Sequence, residues 1–283
     1  MELLHLAILV CCVYLITGDP NCDKMGLLLY EELGCNPVFA EDNNSCPISY
    51  DCKKYERSLQ QCTYQGRTYF PGEDIDKDIL NPSCHAGCQC VNKTNHKCSI
   101  QCAILDCPEY MEPPLDSDCF YSYSLNTCCS EKIICEPFDG LAVCEVDGSE
   151  YYEGQRFNPS GTCMNCVCQK GFNGKYEAPF CTRKKCGFEI RHAEAVEQNC
   201  APVYFVSEGE EALCCPQNFI CPLETDEIIA RPNAPQNDGI CKFGDKSIKF
   251  DEKIVRYLYQ WGKTRTVECV CDVPPLLTCT APY

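Results

Sequence analysis

The sequence predicts a small disulfide-rich fold built from tandem modules, with short antiparallel β-sheets, long loops and little helix. Three observations carry that prediction. The chain has 31 cysteines in 283 residues, a density typical of scaffolds in which cross-links replace an extensive hydrophobic core. The cysteines recur in the same register in two stretches, the mark of a repeated structural unit. Helical periodicity is weak beyond the N-terminal apolar run, whereas short segments bounded by glycine and asparagine read as hairpins.

At the N-terminus, the apolar run Leu3–Ile16 ends in the small residues Thr17 and Gly18, so residues 1–18 read as a cleavable signal peptide. Glu2 and His5 stand where basic residues are usual. The leader implies secretion into an oxidising extracellular compartment, where such thiols pair. No later stretch is long and apolar enough to span a bilayer, so no membrane span is expected.

Residues 62–135 and 144–221 form the repeat. The first copy runs Cys62, Cys84, Cys88, Cys90, Cys102, Cys107, Cys119, the vicinal pair Cys128 and Cys129, then Cys135, with Cys98 as an addition. The second runs Cys144, Cys163, Cys166, Cys168, Cys181, Cys186, Cys200, the vicinal pair Cys214 and Cys215, then Cys221. Four residues separate Cys102 from Cys107 and Cys181 from Cys186, and five separate each vicinal pair from its final cysteine. Gly66, Tyr69 and Gly72 follow the opening cysteine of one copy as Gly148, Tyr151 and Gly154 follow that of the other. That spacing suits a short strand between two turns.

This order of cysteines resembles the von Willebrand factor type C (VWC) domain, as found in tandem in chordin-like and kielin-like secreted proteins, and the resemblance covers nearly all of the chain after the leader. It implies a first subdomain on a small antiparallel sheet and a second subdomain that is nearly all loop. It also implies a pairing. In the second copy this joins Cys144 with Cys168, Cys163 with Cys214, Cys166 with Cys181, Cys186 with Cys215, and Cys200 with Cys221. In the first copy it joins Cys62 with Cys90, Cys84 with Cys128, Cys88 with Cys102, Cys107 with Cys129, and Cys119 with Cys135.

The two ends fit the same scheme as half-modules. Residues 19–61 match a second subdomain, with Ser45 in place of the linking cysteine, and the expected pairs are Cys22 with Cys46 and Cys35 with Cys52. Residues 241–283 match a first subdomain, with Thr266 in place of the other linking cysteine, and the expected pairs are Cys241 with Cys271 and Cys269 with Cys279. Residues 136–143 and 222–240 read as linkers, and module orientation is expected to vary.

Five bridges per repeat, each contributing about 2 to 4 kcal/mol, are needed because each module has few large aliphatic residues to bury. A hairpin is expected from Met164–Gln169 and Tyr176–Thr182 around a turn at Gly171–Gly174. Another should turn near Lys93–Asn95, and Ala193–Gln198 reads as a short helix. One cysteine is left over. Spacing leaves Cys98 and Cys102 as candidates, and Cys98 is taken as the unpaired or interchain residue, which makes a disulfide-linked dimer a candidate state.

The CxxC and CxC spacings also suit zinc, but export and pairing remove the thiolates, so neither metal nor cofactor is expected. The acidic runs Glu73–Asp78 and Glu208–Glu211 lack the oxygen spacing of a calcium loop. No nucleophile, base and cleft come together, so the chain is read as no enzyme. A net charge of −17 argues against nucleic acid as a partner. Asn43 and Asn92 head sequons and are candidate glycosylation sites. Phe250 and Trp261 are expected to pack the C-terminal sheet.

The VWC resemblance implies an extracellular protein ligand, with growth factors of the TGF-β/BMP type as the leading class. The alternatives are a structural or adhesive matrix protein and a secreted protease inhibitor. Residues 241–283 carry seven basic side chains, Lys242, Lys246, Lys249, Lys253, Arg256, Lys263 and Arg265, against five acidic ones. They make heparan sulfate a further candidate partner.

Overall fold

The computed structural model describes residues 26–40, 43–52, 60–80, 84–93, 97–206, 214–234, 239–260 and 262–282. The expected signal peptide, Cys22, Trp261 and the run Glu208–Glu211 lie outside the described residues.

The chain is a succession of sulfur-clamped hairpins. Each repeat opens with a two-residue turn, Cys62–Tyr64 pairing with Arg67–Tyr69 and Val143–Val146 with Ser149–Tyr152. Both central residues of each turn have positive φ, 47° and 75° at Gln65 and Gly66, 50° and 78° at Asp147 and Gly148. This is the turn whose twist matches that of the strands it joins. The next hairpin of repeat one is long, His85–Asn92 against Cys98–Ile104. Its counterpart in repeat two is short, Met164–Val167 against Cys181–Arg183. The expected strand Tyr176–Thr182 is therefore corrected. The N–H groups of Phe180 and Cys181 both donate to Glu177 O in a turn, and Pro179 has no N–H with which to continue a ladder.

Helices are few and short: α1 (Leu27–Glu32), α2 (Lys77–Leu80), α3 (Phe188–Arg191) and α4 (Ala193–Glu197), the last where the sequence places it.

The largest element is a six-stranded sheet that joins repeat two to the C-terminal segment. Its strands are β1 (Ala201–Val206), β2 (Asn218–Ile220), β3 (Ile228–Ala230), β4 (Glu252–Gln260), β5 (Lys263–Val270) and β6 (Thr278–Pro282), in spatial order β2-β1-β6-β5-β4-β3. The sequence of β1, Ala-Pro-Val-Tyr-Phe-Val, is buried over its first five residues, as befits a strand covered on both faces. It pairs parallel to β6, with Val203 opposite Cys279. Beneath this sheet Val203, Phe205, Phe243, Ile248, Phe250, Ile254, Val267 and Leu277 pack with Cys241, Cys269, Cys271 and Cys279 into one core. Phe250 thus lies where the sequence places it.

Two expectations change here. Residues 222–240 are not a bare linker, because β3 lies within them and pairs antiparallel to β4. The segment is pinned by Asp226, whose side chain is 1% exposed and ion-paired with Arg256. Residues 136–143 are held by Phe138, whose ring packs against Phe120 of repeat one and Tyr152 of repeat two at 5.4 and 4.6 Å between centroids. Both segments looked flexible because proline and glycine are frequent in them, but single anchoring side chains fix them.

Candidate interaction surfaces

Thirteen disulfides join described residues. In repeat one they are Cys62–Cys90, Cys84–Cys128, Cys88–Cys102, Cys107–Cys129 and Cys119–Cys135. In repeat two they are Cys144–Cys168, Cys163–Cys214, Cys166–Cys181, Cys186–Cys215 and Cys200–Cys221. Cys35–Cys52 closes the N-terminal segment, and Cys241–Cys271 and Cys269–Cys279 the C-terminal one. Each of these is a pair that the resemblance implies. Cys46 is disulfide-bonded too, while its expected partner Cys22 lies outside the described residues. Cys98 is the free cysteine among the described residues. It faces Asn92 across the hairpin and its Sγ donates to Asn92 Oδ1 at 3.3 Å. Asn92 is exposed; Asn43 starts a strand.

The modules are seated on one another at both ends of repeat one. Its second half meets the first half of repeat two, where Tyr123 N–H donates to Gly154 O at 2.9 Å and the Arg156 guanidinium lies 3.7 Å from the Tyr123 ring centre. Gly154, with φ of +95°, sits so close that a Cβ there would fall 2.1 Å from Ser122 Oγ. The first half of repeat one meets the second half of repeat two, where Gln65 N–H donates to the buried Glu189 at 2.7 Å and Lys97 pairs with Glu194 at 3.0 Å. A cavity of about 570 Å3 lies along this second seam, lined by Lys93, Lys97, Cys98, Glu194 and Gln198 among others.

The N-terminal segment is clasped between repeat two and the C-terminal segment. Leu27, Leu28, Leu29 and Tyr30 of α1 are all buried. The Tyr30 hydroxyl donates to Val273 O at 2.8 Å and accepts from Leu276 N–H at 2.9 Å, and its ring stacks on Tyr50. Burial pushes that hydroxyl far above its ordinary pKa. Glu31 pairs bidentately with Arg183 at 2.9 and 3.1 Å. Glu32 accepts from the amides of Cys186, Gly187 at 2.9 Å and Phe188 at 3.2 Å. Burial raises the Glu32 carboxyl above the usual range, more than those three donors lower it.

The two close groupings of metal-ligand type among the described residues are His85 with Cys88 and Cys102, and Cys107 with Cys128 and Cys129. All five of those sulfurs are in disulfides, which removes the thiolates a metal would need. Burial, with the Arg191 charge adding to it, lowers the pKa of His85 and of His192. Of the seven basic residues of the C-terminal segment, Lys253 pairs with Glu268 and Arg256 with Asp226, Lys246 donates to the Leu223 and Asp226 carbonyls, and Arg265 donates to Pro282 O. Lys242, Lys249 and Lys263 are exposed.

Large apolar side chains are open to a partner as well. Ile104, Leu105, Tyr110 and Met111 are 65, 41, 74 and 73% exposed on the segment that leads through Cys107 of repeat one. Tyr257 and Tyr259 are 77 and 74% exposed on the outer face of β4. Sequence reasoning missed both patches, since neither set of side chains repeats between the copies.

This architecture defines a disulfide-dense, mostly β protein, and its bridges fit an oxidising extracellular setting. Among the described residues no helix is long and apolar enough to cross a membrane. The chain is similar to Protein NEL of Gallus gallus, 28% identical over 165 residues, which cover 56% of this chain and 17% of that protein. The chain thus matches less than a fifth of its relative's length. No family model and no solved structure matches it.

Proposed function

We propose that the chain is a secreted, non-enzymatic binding protein built on two VWC-type repeats and two half-modules, whose ligand is an extracellular growth factor of the TGF-β/BMP type. The observation that supports this reading most is the pairing within each repeat. Five bridges, one of them crossing between subdomains, hold loops that expose large apolar side chains such as Tyr110 and Met111 to water. An apolar surface held by covalent anchors loses little conformational freedom on binding, which favours protein recognition. The three exposed lysines leave heparan sulfate as an accessory contact, and Asn43 and Asn92 are the proposed glycosylation sites.

The test is a biosensor panel of dimeric growth factors of this class against the intact chain. Binding that is lost on Tyr110→Ser with Met111→Ser supports the reading, and silence across the panel overturns it. Retention on a heparin column at low salt tests the accessory contact, with flow-through as the negative outcome.

A further inference from the structure

The six-stranded sheet ends in an open edge, and the sequence on that edge matches itself. Among the described residues β3 pairs with β4 alone. Its three residues, Ile228, Ile229 and Ala230, are all exposed, the two isoleucines at 43 and 41%. An apolar edge strand with no charge among its paired residues is a template for another strand.

The hydrogen-bond parity shows what that strand would have to offer. Arg231 N–H donates to Asp251 O at 2.7 Å, so Arg231 and Ile229 direct their backbone groups at β4. By alternation, Ile228 and Ala230 direct theirs outward. A second β3 laid antiparallel about a two-fold axis through Ile229 puts Ile228 of each copy opposite Ala230 of the other. All four outward N–H groups and all four carbonyls are then satisfied.

In that same register, and in no neighbouring one, Glu227 of each copy stands opposite Arg231 of the other, so Arg231, which pairs with Asp272 of its own copy at 2.8 Å, gains a second carboxylate neighbour at each end of the ladder. Pro232, with no N–H, ends the pairing just beyond Arg231. Ile228 lies on the same face of the sheet as the buried Ile254 opposite it. Its neighbour Ala230 from the second copy would therefore extend the existing core.

The geometry points to β3 as the contact surface for a second copy of this chain, joined edge to edge across a two-fold axis into one continuous sheet. The contact is short, which places it in the weak, reversible class of interfaces. It is distinct from any bridge through Cys98, which lies on the second strand of the long hairpin of repeat one.

Sedimentation velocity on the intact chain, with its free thiol capped by iodoacetamide, tests this. A reversible monomer–dimer equilibrium is expected, with a Kd in the range of about 1 to 100 μM. Ala230→Pro removes an outward N–H that β4 does not use, and should raise Kd more than tenfold (about 1.4 kcal/mol). Glu227→Arg should weaken the dimer through like charges, read as a raised Kd. A wild type that stays monomeric at about 100 μM overturns the inference. So does a dimer unaffected by Glu227→Arg, whose exposed site leaves folding intact, and this second variant decides the matter if Ala230→Pro fails to fold.

Discussion

Removing the Asp226 carboxylate should unpin the segment that carries β3. Its side chain is 1% exposed. It receives both Nε and Nη2 of Arg256, accepts Leu223 N–H at 2.7 Å and lies 3.8 Å from Lys246 Nζ. Breaking one partner of a buried ion pair costs about 3 to 5 kcal/mol. Arg256 is itself 16% exposed and also donates to Cys221 O at 2.7 Å. Asp226→Ala should therefore cost about 3 kcal/mol, at the lower end of that range. Asp226→Asn, which can still accept from Leu223, should cost about 2 kcal/mol.

The same site sets a pH dependence. Burial opposes ionisation of Asp226, but Arg256, the Leu223 amide and Lys246 together hold its pKa below the ordinary value. A depressed carboxylate contributes stability that is present above the unfolded pKa of about 3.9 and is lost as pH falls through the lower folded value. Urea denaturation under non-reducing conditions at pH 7 and at descending pH measures both effects, with hydrogen exchange at β3 and β4 to localise them. If Asp226→Ala unfolds within about 0.5 kcal/mol of wild type, the ion pair is not what orders this segment.

Three further outcomes follow from the seams and the free thiol. Glu32→Ala leaves three amides at the start of α3 without their acceptor and should destabilise by about 2 to 3 kcal/mol, with exchange protection falling at residues 186–188. Because burial raises the Glu32 pKa, that carboxyl should add to stability as pH falls through its range, a contribution absent from Glu32→Gln. Gly154→Ala forces a Cβ onto Ser122 at a backbone angle that disfavours side chains. It should cost about 2 kcal/mol or more and loosen the repeat-to-repeat seam, read as new protease sensitivity near residues 120–125. Thiol labelling of the native protein should tag Cys98 and be lost in Cys98→Ser. A native protein that takes no label and runs as a dimer on a non-reducing gel would instead place Cys98 in an interchain bridge.

Much of the local structure was legible from cysteine spacing, because a disulfide ties residues that a hairpin already brings within reach. The glycines at 66 and 148 marked turns, 193–198 read as a short helix that the structure places at 193–197, and of the two candidates for the surplus, Cys98 and Cys102, the structure leaves Cys98 free. Long-range seating was not legible. Nothing in the sequence around Glu31 and Glu32 marks them as anchors, and only the contacts with Arg183 and with the amides of α3 show it. The buried run of β1 carried a signal that went unused. Its repeat-one counterpart, Phe-Tyr-Ser-Tyr at 120–123, is more polar, so comparing the two copies would have marked 201–206 as the strand that acquires a neighbour.

The contact of Tyr30 with Val273 and Leu276 spans 243 and 246 positions of sequence, so what begins as beads on a string becomes a bracelet fastened by a clasp without a covalent link. Excising any single bead for study would leave a greasy scar on whatever it had touched. Recombinant fragments cut at the module boundaries should therefore clump where the whole chain does not.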